Sequence, residues 1–197
     1  MYFPSSLVLS RSNCIIQTYF DHQRPRFDPI VCVNALSLFY TYGRGHELHR
    51  TLHWVRDVLF NRAYLEGTRY YQTAECFLYV VSRLLTNCGD ADLHAMLKSL
   101  LKERVKERIG AEGDSLALAM RILVCDLMGI RNDVDSRALL RLQCEDGGWE
   151  IGWIYKFPSS GIRIGNRGLA TALAIKAIET MPTHTPIPRA AFTHPGG

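Results

Sequence analysis

The sequence predicts an all-α domain of αα-hairpins arranged in two concentric layers. Apolar residues recur at helical spacing in seven segments between about residues 29 and 180. Nearly uncharged helices alternate with amphipathic, charged ones, and an aromatic-rich connector precedes three of the uncharged helices. In a simple bundle every helix would be apolar on about half of its surface, so the alternation indicates inner helices covered by outer ones. This layout is that of an αα toroid, here a partial one, or of a helical solenoid.

Four of the predicted helices carry few charges and form the expected inner layer. Asp28 and Asp114 precede two of them as N-caps, and Pro29 suits a first helical position. The other three helices are amphipathic and form the expected shell. The inner helices are predicted at 29–42, 74–85, 115–128 and 167–180, and the outer ones at 46–60, 91–109 and 136–143. We expect this domain to span 15–181, after a poorly ordered arm (1–14) and before a disordered Pro/Gly-rich tail (182–197).

The composition argues against several classes of function. The net charge of +4 is mild and no lysine/arginine block stands out, so nucleic-acid binding is not expected. No segment approaches the ~20 apolar residues of a membrane span. Six cysteines without a CxxC pair indicate free thiols and a reducing, cytoplasmic compartment. No metal site is predicted, because the histidine stripe His46, His49 and His53 lies on an outer helix, where it would face solvent.

The most specific local pattern is Gln143-Cys144-Glu145-Asp146-Gly147-Gly148-Trp149, which reads Q-x-x-D-G-G-W. Asp146, Gly147 and Gly148 favour a turn. Gln143 is expected to bond backbone groups at a helix end, and Trp149 to pack across the junction between two hairpins. The pattern therefore indicates a structural role.

This pattern resembles the QW-type repeat of squalene and terpene cyclases and of protein prenyltransferase β subunits. Longer stretches at 15–21, 24–29, 43–48 and 161–169 resemble the cyclase region of fungal drimane-type sesquiterpene synthases. Those enzymes join a haloacid-dehalogenase-like domain to a class II terpene cyclase domain. The resemblance covers about residues 14–180. It implies a terpenoid-cyclase αα fold and, as parent activity, cyclisation of farnesyl diphosphate to a drimane-type sesquiterpene.

The resemblance also implies a protonating aspartate in a D-x-D-[DT] motif, and we identify no catalytic residue of that kind. Asp133-Val134-Asp135-Ser136 mimics the motif, but we predict that Asp135 caps the sixth helix and that Asp133 lies in the preceding turn. We therefore expect an incomplete cyclase domain. The alternatives are a catalytically silent isoprenyl-diphosphate-binding or protein-interaction module and, third, a prenyltransferase β-like subunit, which would need a zinc site.

Candidate binding residues lie in the connectors. Arginine forks and a helix N-terminus suit a diphosphate. Any Mg²⁺ would enter with that diphosphate, and no other cofactor is expected. The diphosphate candidates are Arg163, Asn166, Arg167, Lys156 and Arg69. Surface arginines bonding loop carbonyls are the alternative interpretation. The aromatic residues that would line a prenyl cavity, or else pack between hairpins, are Tyr70, Tyr71, Trp153, Tyr155 and Phe157.

The number of hairpins predicts a need for a partner surface. Seven helices make three and a half hairpins, whereas the resembled toroid has about six. Inner-helix apolar surface would then be uncovered. We therefore expect the chain to close differently, to form a homodimer or to pair with a missing N-terminal domain.

Overall fold

A computed structural model describes residues 15–18 and 26–181. The predicted arm (1–14) and tail (182–197) lie outside the described residues. Among the described residues, no helix is both long enough and apolar enough to cross a bilayer. The helices are α1 Pro29–Thr41, α2 His49–Phe60, α3 Ala74–Asn87, α4 Ala91–Lys106, α5 Ser115–Leu127, α6 Asp133–Arg141 and α7 Arg167–Glu179. A 3₁₀ turn, Gly45–Leu48, precedes α2, and two strands, β1 Gly152–Lys156 and β2 Arg163–Asn166, precede α7. The prediction of a helical fold is confirmed.

The helices form the two layers that the charge alternation predicts. Helix α3 packs between α1 and α5, and α5 packs on α7, which makes a continuous inner layer. Outside it, α2 covers α1, α4 covers α3 and α6 covers α5. Residues 115–125 of α5 are all buried, as expected for a helix enclosed on every side.

Side-chain caps start most of these helices where the sequence favours a start. Asp28 Oδ1 accepts hydrogen bonds from the backbone N–H groups of Ile30 (3.0 Å) and Val31 (3.2 Å). Asp114 caps α5 in the same way through Ala117 N. Both caps agree with the sequence analysis, because an aspartate just before a helix satisfies the first orphan N–H groups.

The start of α6 differs from the prediction. The helix begins at Asp133 rather than near Ser136, and its N-cap is Asn132, whose side chain accepts from Asp135 N at 3.1 Å. The predicted capping role of Asp135 is therefore wrong. Its carboxylate instead turns inward and is 1% exposed, because Arg121 provides an interior partner at 2.9 Å. Asp133 lies in the first turn of α6 and pairs with Arg131 at the surface.

The antiparallel β-hairpin is the element that the sequence analysis missed. Lys156 pairs with Arg163, and Gly152 pairs with Asn166, with an irregularity between Trp153 and Tyr155. The segment is short, and its only strand-like feature is that aromatic residues occupy every second position. A search for helical periodicity therefore assigns it to a connector. Its effect on the fold is to bring the aromatic connector before α7 against the aromatic connector before α3.

Candidate functional site

The inner helices enclose a cleft of about 440 Å³. None of the residues that line it comes from the outer helices α2, α4 or α6, so it opens on the face of the inner layer that the shell does not cover. Its volume falls within the range of small-molecule sites. The lining residues are Asn34, Ser37, Tyr71, Cys76, Tyr79, Val80, Arg83, Asn87, Met120, Ile154, Leu169 and Leu173.

The β-hairpin lies at the end of the cleft where the inner helices begin. Lys156 N donates to Tyr70 O at 2.7 Å, just before α3. Trp153 N donates to Asp114 Oδ2 at 3.2 Å, just before α5. Strand β2 continues directly into α7. The N-termini of α3, α5 and α7 therefore meet at one end, and these inner helices run parallel.

Four of the five predicted cavity aromatics, Tyr70, Tyr71, Tyr155 and Phe157, form one cluster, of which Tyr71 lines the cleft. Tyr155 stacks on Tyr70 with ring centroids 5.8 Å apart, meets Tyr71 edge-on at 6.0 Å and meets Phe157 edge-on at 5.3 Å. Tyr70 is buried, whereas Trp153 and Phe157 are partly open to solvent. The cluster joins the connector before α3 to the connector before α7. Burial raises the pKa of the Tyr71 phenol, so that group stays neutral at physiological pH.

The predicted diphosphate residues separate into two groups. Arg69, Lys156 and Arg163 lie close together along the backbone at the hairpin. Lys156 pairs with Arg163, and Lys156 N donates to Tyr70 O, next to Arg69. Within residues 15–18 and 26–181, none of these three side chains forms an ion pair. Arg167 instead binds Asp146 at 2.7 Å, and the Asn166 side chain caps α7 through Leu169 N at 2.9 Å. Diphosphate binding by either group stays a prediction.

The Q-x-x-D-G-G-W segment joins α6 to α7. The Trp149 indole is 1% exposed, and its Nε1 donates to Leu139 O at 2.9 Å, near the C-terminus of α6. Gln143 Nε2 donates to Gly147 O at 2.9 Å, which closes the turn. Arg167 reaches across from α7 and donates to Trp149 O at 3.0 Å. A Cβ at Gly148 would come within 2.9 Å of that guanidinium, so a larger residue there would force the Arg167 side chain to shift.

Most of the polar residues of the cleft were not found by sequence reasoning. Arg83 is the one basic residue of α3 and lies on its cleft-facing stripe with Cys76, Val80 and Asn87. These positions follow helical spacing (i, i+4, i+7, i+11) and therefore share one face of the helix. A charged residue on one face of an otherwise apolar inner helix was the sequence signal that could have revealed the cleft. The described lining contains no aspartate or glutamate.

A buried ion network lies apart from the cleft and joins the two layers. The Arg121 side chain is fully buried and binds Glu75 Oε1 at 2.9 Å and Asp135 Oδ1 at 2.9 Å. Arg108 adds a second cation on Glu75 at 2.9 Å. Asp135, the second aspartate of the motif-like stretch, is thus held in a structural contact among α3, α5 and α6.

The stripe His46, His49 and His53 is exposed, and among the described residues no group of three or more His, Cys, Asp or Glu is arranged to hold a metal ion.

Comparison with known proteins agrees with the resemblance. Residues 6–42 match the family described as the sesquiterpene cyclase astC-like C-terminal domain. The chain is 51% identical over 171 residues to drimenol cyclase drtB of Aspergillus calidoustus, which covers 87% of this chain and 32% of that protein. No solved structure matches. This chain is related to the fungal drimane-type sesquiterpene cyclases. It spans about a third of the length of that curated relative.

The match to the cyclase relative includes most of the residues of the cleft. The 171-residue match extends over most of the described helices. The segment matched by the astC-like family includes α1, which contributes Asn34 and Ser37 to the cleft. The cleft is therefore built from the part of the chain that is shared with the cyclase relative.

Proposed function

We propose that this chain forms the isoprenoid-binding part of a drimane-type sesquiterpene cyclase, whose parent activity is the cyclisation of farnesyl diphosphate. The observation that carries the proposal is the cleft on the open face of the inner layer. It is large enough for a small amphiphile, and it is built from the part of the chain that matches a relative named as a drimenol cyclase.

The chemistry of the lining supports a hydrocarbon ligand. Val80, Met120 and Leu173 present apolar surface that would displace water from a prenyl chain. Tyr71 and Tyr79 add aromatic rings, which attract a nearby positive charge through the ring face. Such a lining both binds an isoprenoid and tolerates the carbocations that cyclisation produces.

The described lining does not provide an acid strong enough to protonate an alkene in the first step of a class II cyclisation. It has no carboxylic acid, and its one thiol, Cys76, has a pKa raised by burial. These residues would therefore bind and orient a substrate, while the proton would come from another group. The same observation favours the second candidate function, a catalytically silent isoprenyl-diphosphate-binding module. Mg²⁺ would enter only with the diphosphate.

The test is a titration of the purified chain with farnesyl diphosphate and Mg²⁺ by isothermal titration calorimetry. Leu169→Trp places a large ring at the lining, whereas Ile175→Trp, on the same helix, lies outside it and is 48% exposed. We expect Leu169→Trp to weaken binding about ten-fold or more, equivalent to ~1.4 kcal/mol, and Ile175→Trp to bind like the wild type. Equal affinities for Leu169→Trp and wild type, or no binding by the wild type, would reject the proposal.

Product analysis separates the two candidate functions. The same mixtures are extracted and examined by gas chromatography with mass spectrometry. A cyclic sesquiterpene that disappears in Leu169→Trp would assign the activity to this chain. Binding without any cyclic product would assign the silent module.

A further inference from the structure

The two ends of the cleft differ in chemistry. At the end where α3 begins lie Tyr71, Ile154 from β1 and Leu169 from the first turn of α7. Arg83 and Asn87 lie toward the C-terminal end of α3. Arg83 lies seven positions after Cys76, which is about 10 Å along a helix axis. The cleft therefore has an aromatic, apolar end and a cationic, polar end.

The cationic end lacks a protein partner for its charge. In the described part of the chain, no hydrogen bond or ion pair engages the exposed Arg83 guanidinium, and no lining residue is acidic. Asn34, Ser37 and Asn87 supply amide and hydroxyl donors to the same cleft. A guanidinium fork beside neutral donors suits a phosphate group.

Because of the charge distribution of a helix, an anion bound at this end of the cleft would need Arg83. The C-terminal carbonyls of a helix carry a partial negative charge, which disfavours an anion. A phosphate near the last turns of α3 therefore needs a compensating cation, and Arg83 is the basic residue that the lining offers.

We infer that Arg83 binds the anionic head group of the isoprenoid, so that the hydrocarbon tail runs along α3 toward Tyr71. This inference rests on the proposed function and adds an orientation to it. The terminal isoprene unit then lies at the hairpin end, beside the aromatic cluster of Tyr71 and Tyr155. The opposite orientation would put the head group near the sequence-predicted cations Arg69, Lys156 and Arg163.

The experiment compares farnesyl diphosphate with farnesol, which has the same tail and no charge. Arg83→Met removes the charge at a solvent-exposed position, so the fold is preserved, and Arg83→Lys restores a point charge without the fork. Arg163→Met tests the opposite orientation. Arg137→Met, on the outer helix α6, is the matched control for loss of one surface charge.

We expect Arg83→Met to weaken farnesyl diphosphate binding about ten-fold or more, as for loss of a charged hydrogen bond, with farnesol affinity unchanged. Arg83→Lys should recover part of the loss, and Arg137→Met should bind like the wild type. Unchanged diphosphate affinity in Arg83→Met would overturn the inference, and a selective loss in Arg163→Met would establish the opposite orientation. With either of these two results, a loss of binding in Leu169→Trp would leave the proposed function standing. A wild type that binds neither farnesyl diphosphate nor farnesol would reject the inference and the proposed function together.

Discussion

Replacing Arg121 with methionine should destabilise the protein strongly. The arginine side chain is fully buried, and its guanidinium binds Glu75, Asp135 and the carbonyl oxygen of Ala111 (2.8 Å). Methionine fills similar volume but leaves two carboxylates, 2% and 1% exposed, without their shared cation. Removing one partner of a buried ion pair costs about 3–5 kcal/mol. At about 2–4 °C per kcal/mol for a chain of this size, the melting temperature should fall by about 6–20 °C.

The assay is urea unfolding followed by far-UV circular dichroism, with a thermal melt of the same samples. Arg131→Met is the matched control, because Arg131 pairs with Asp133 at the surface, where the two side chains are 72% and 48% exposed. It should cost less than about 1 kcal/mol. Adding Asp135→Asn to Arg121→Met should recover part of the loss, since Asp135 is the carboxylate left without a cation, whereas Glu75 keeps Arg108. An Arg121→Met protein within about 1 kcal/mol of the wild type would refute this reasoning.

Two further predictions concern other buried groups. Trp149→Phe removes the donor to Leu139 O and should cost about 1–3 kcal/mol in urea unfolding; an unchanged midpoint would show that this hydrogen bond contributes nothing. Burial raises the pKa of Cys32 from 9.0 to about 12 and that of Cys125 from 9.0 to about 11. Because the unfolded thiols lose their protons first, the stabilisation is complete below about pH 9 and is lost as the pH rises toward these values. Equal unfolding free energies at about pH 8 and about pH 10.5 would contradict this.

Charge patterning was sufficient to predict the layers of the fold. Whether a helix carries charges depends on whether it faces water, so the uncharged α1 and the charged α4 could be assigned to their layers from the amino-acid sequence alone. The caps Asp28 and Asp114 were likewise local signals, because each acts within three residues of its own position.

The cleft could be predicted only in part, because it depends on contacts between residues distant in sequence. Tyr71 lay in an aromatic connector, and the structure places it in the lining. Arg83 lay inside an apolar helix, and its charge was the one local signal that this side of the helix stays open. The place of Asp135 depended on Arg121, which is fourteen residues away, and a cap was the better local interpretation.

Photo-crosslinking tests most directly whether the open face of the inner layer is the binding surface. A photoreactive farnesyl diphosphate analogue is irradiated with the wild-type chain, and the labelled peptides are mapped by mass spectrometry. We expect labels on α3 and α7, at or beside lining residues such as Val80 and Leu173, and competition by unmodified farnesyl diphosphate. Competable labels confined to the outer helices α2 and α4 would contradict the assignment.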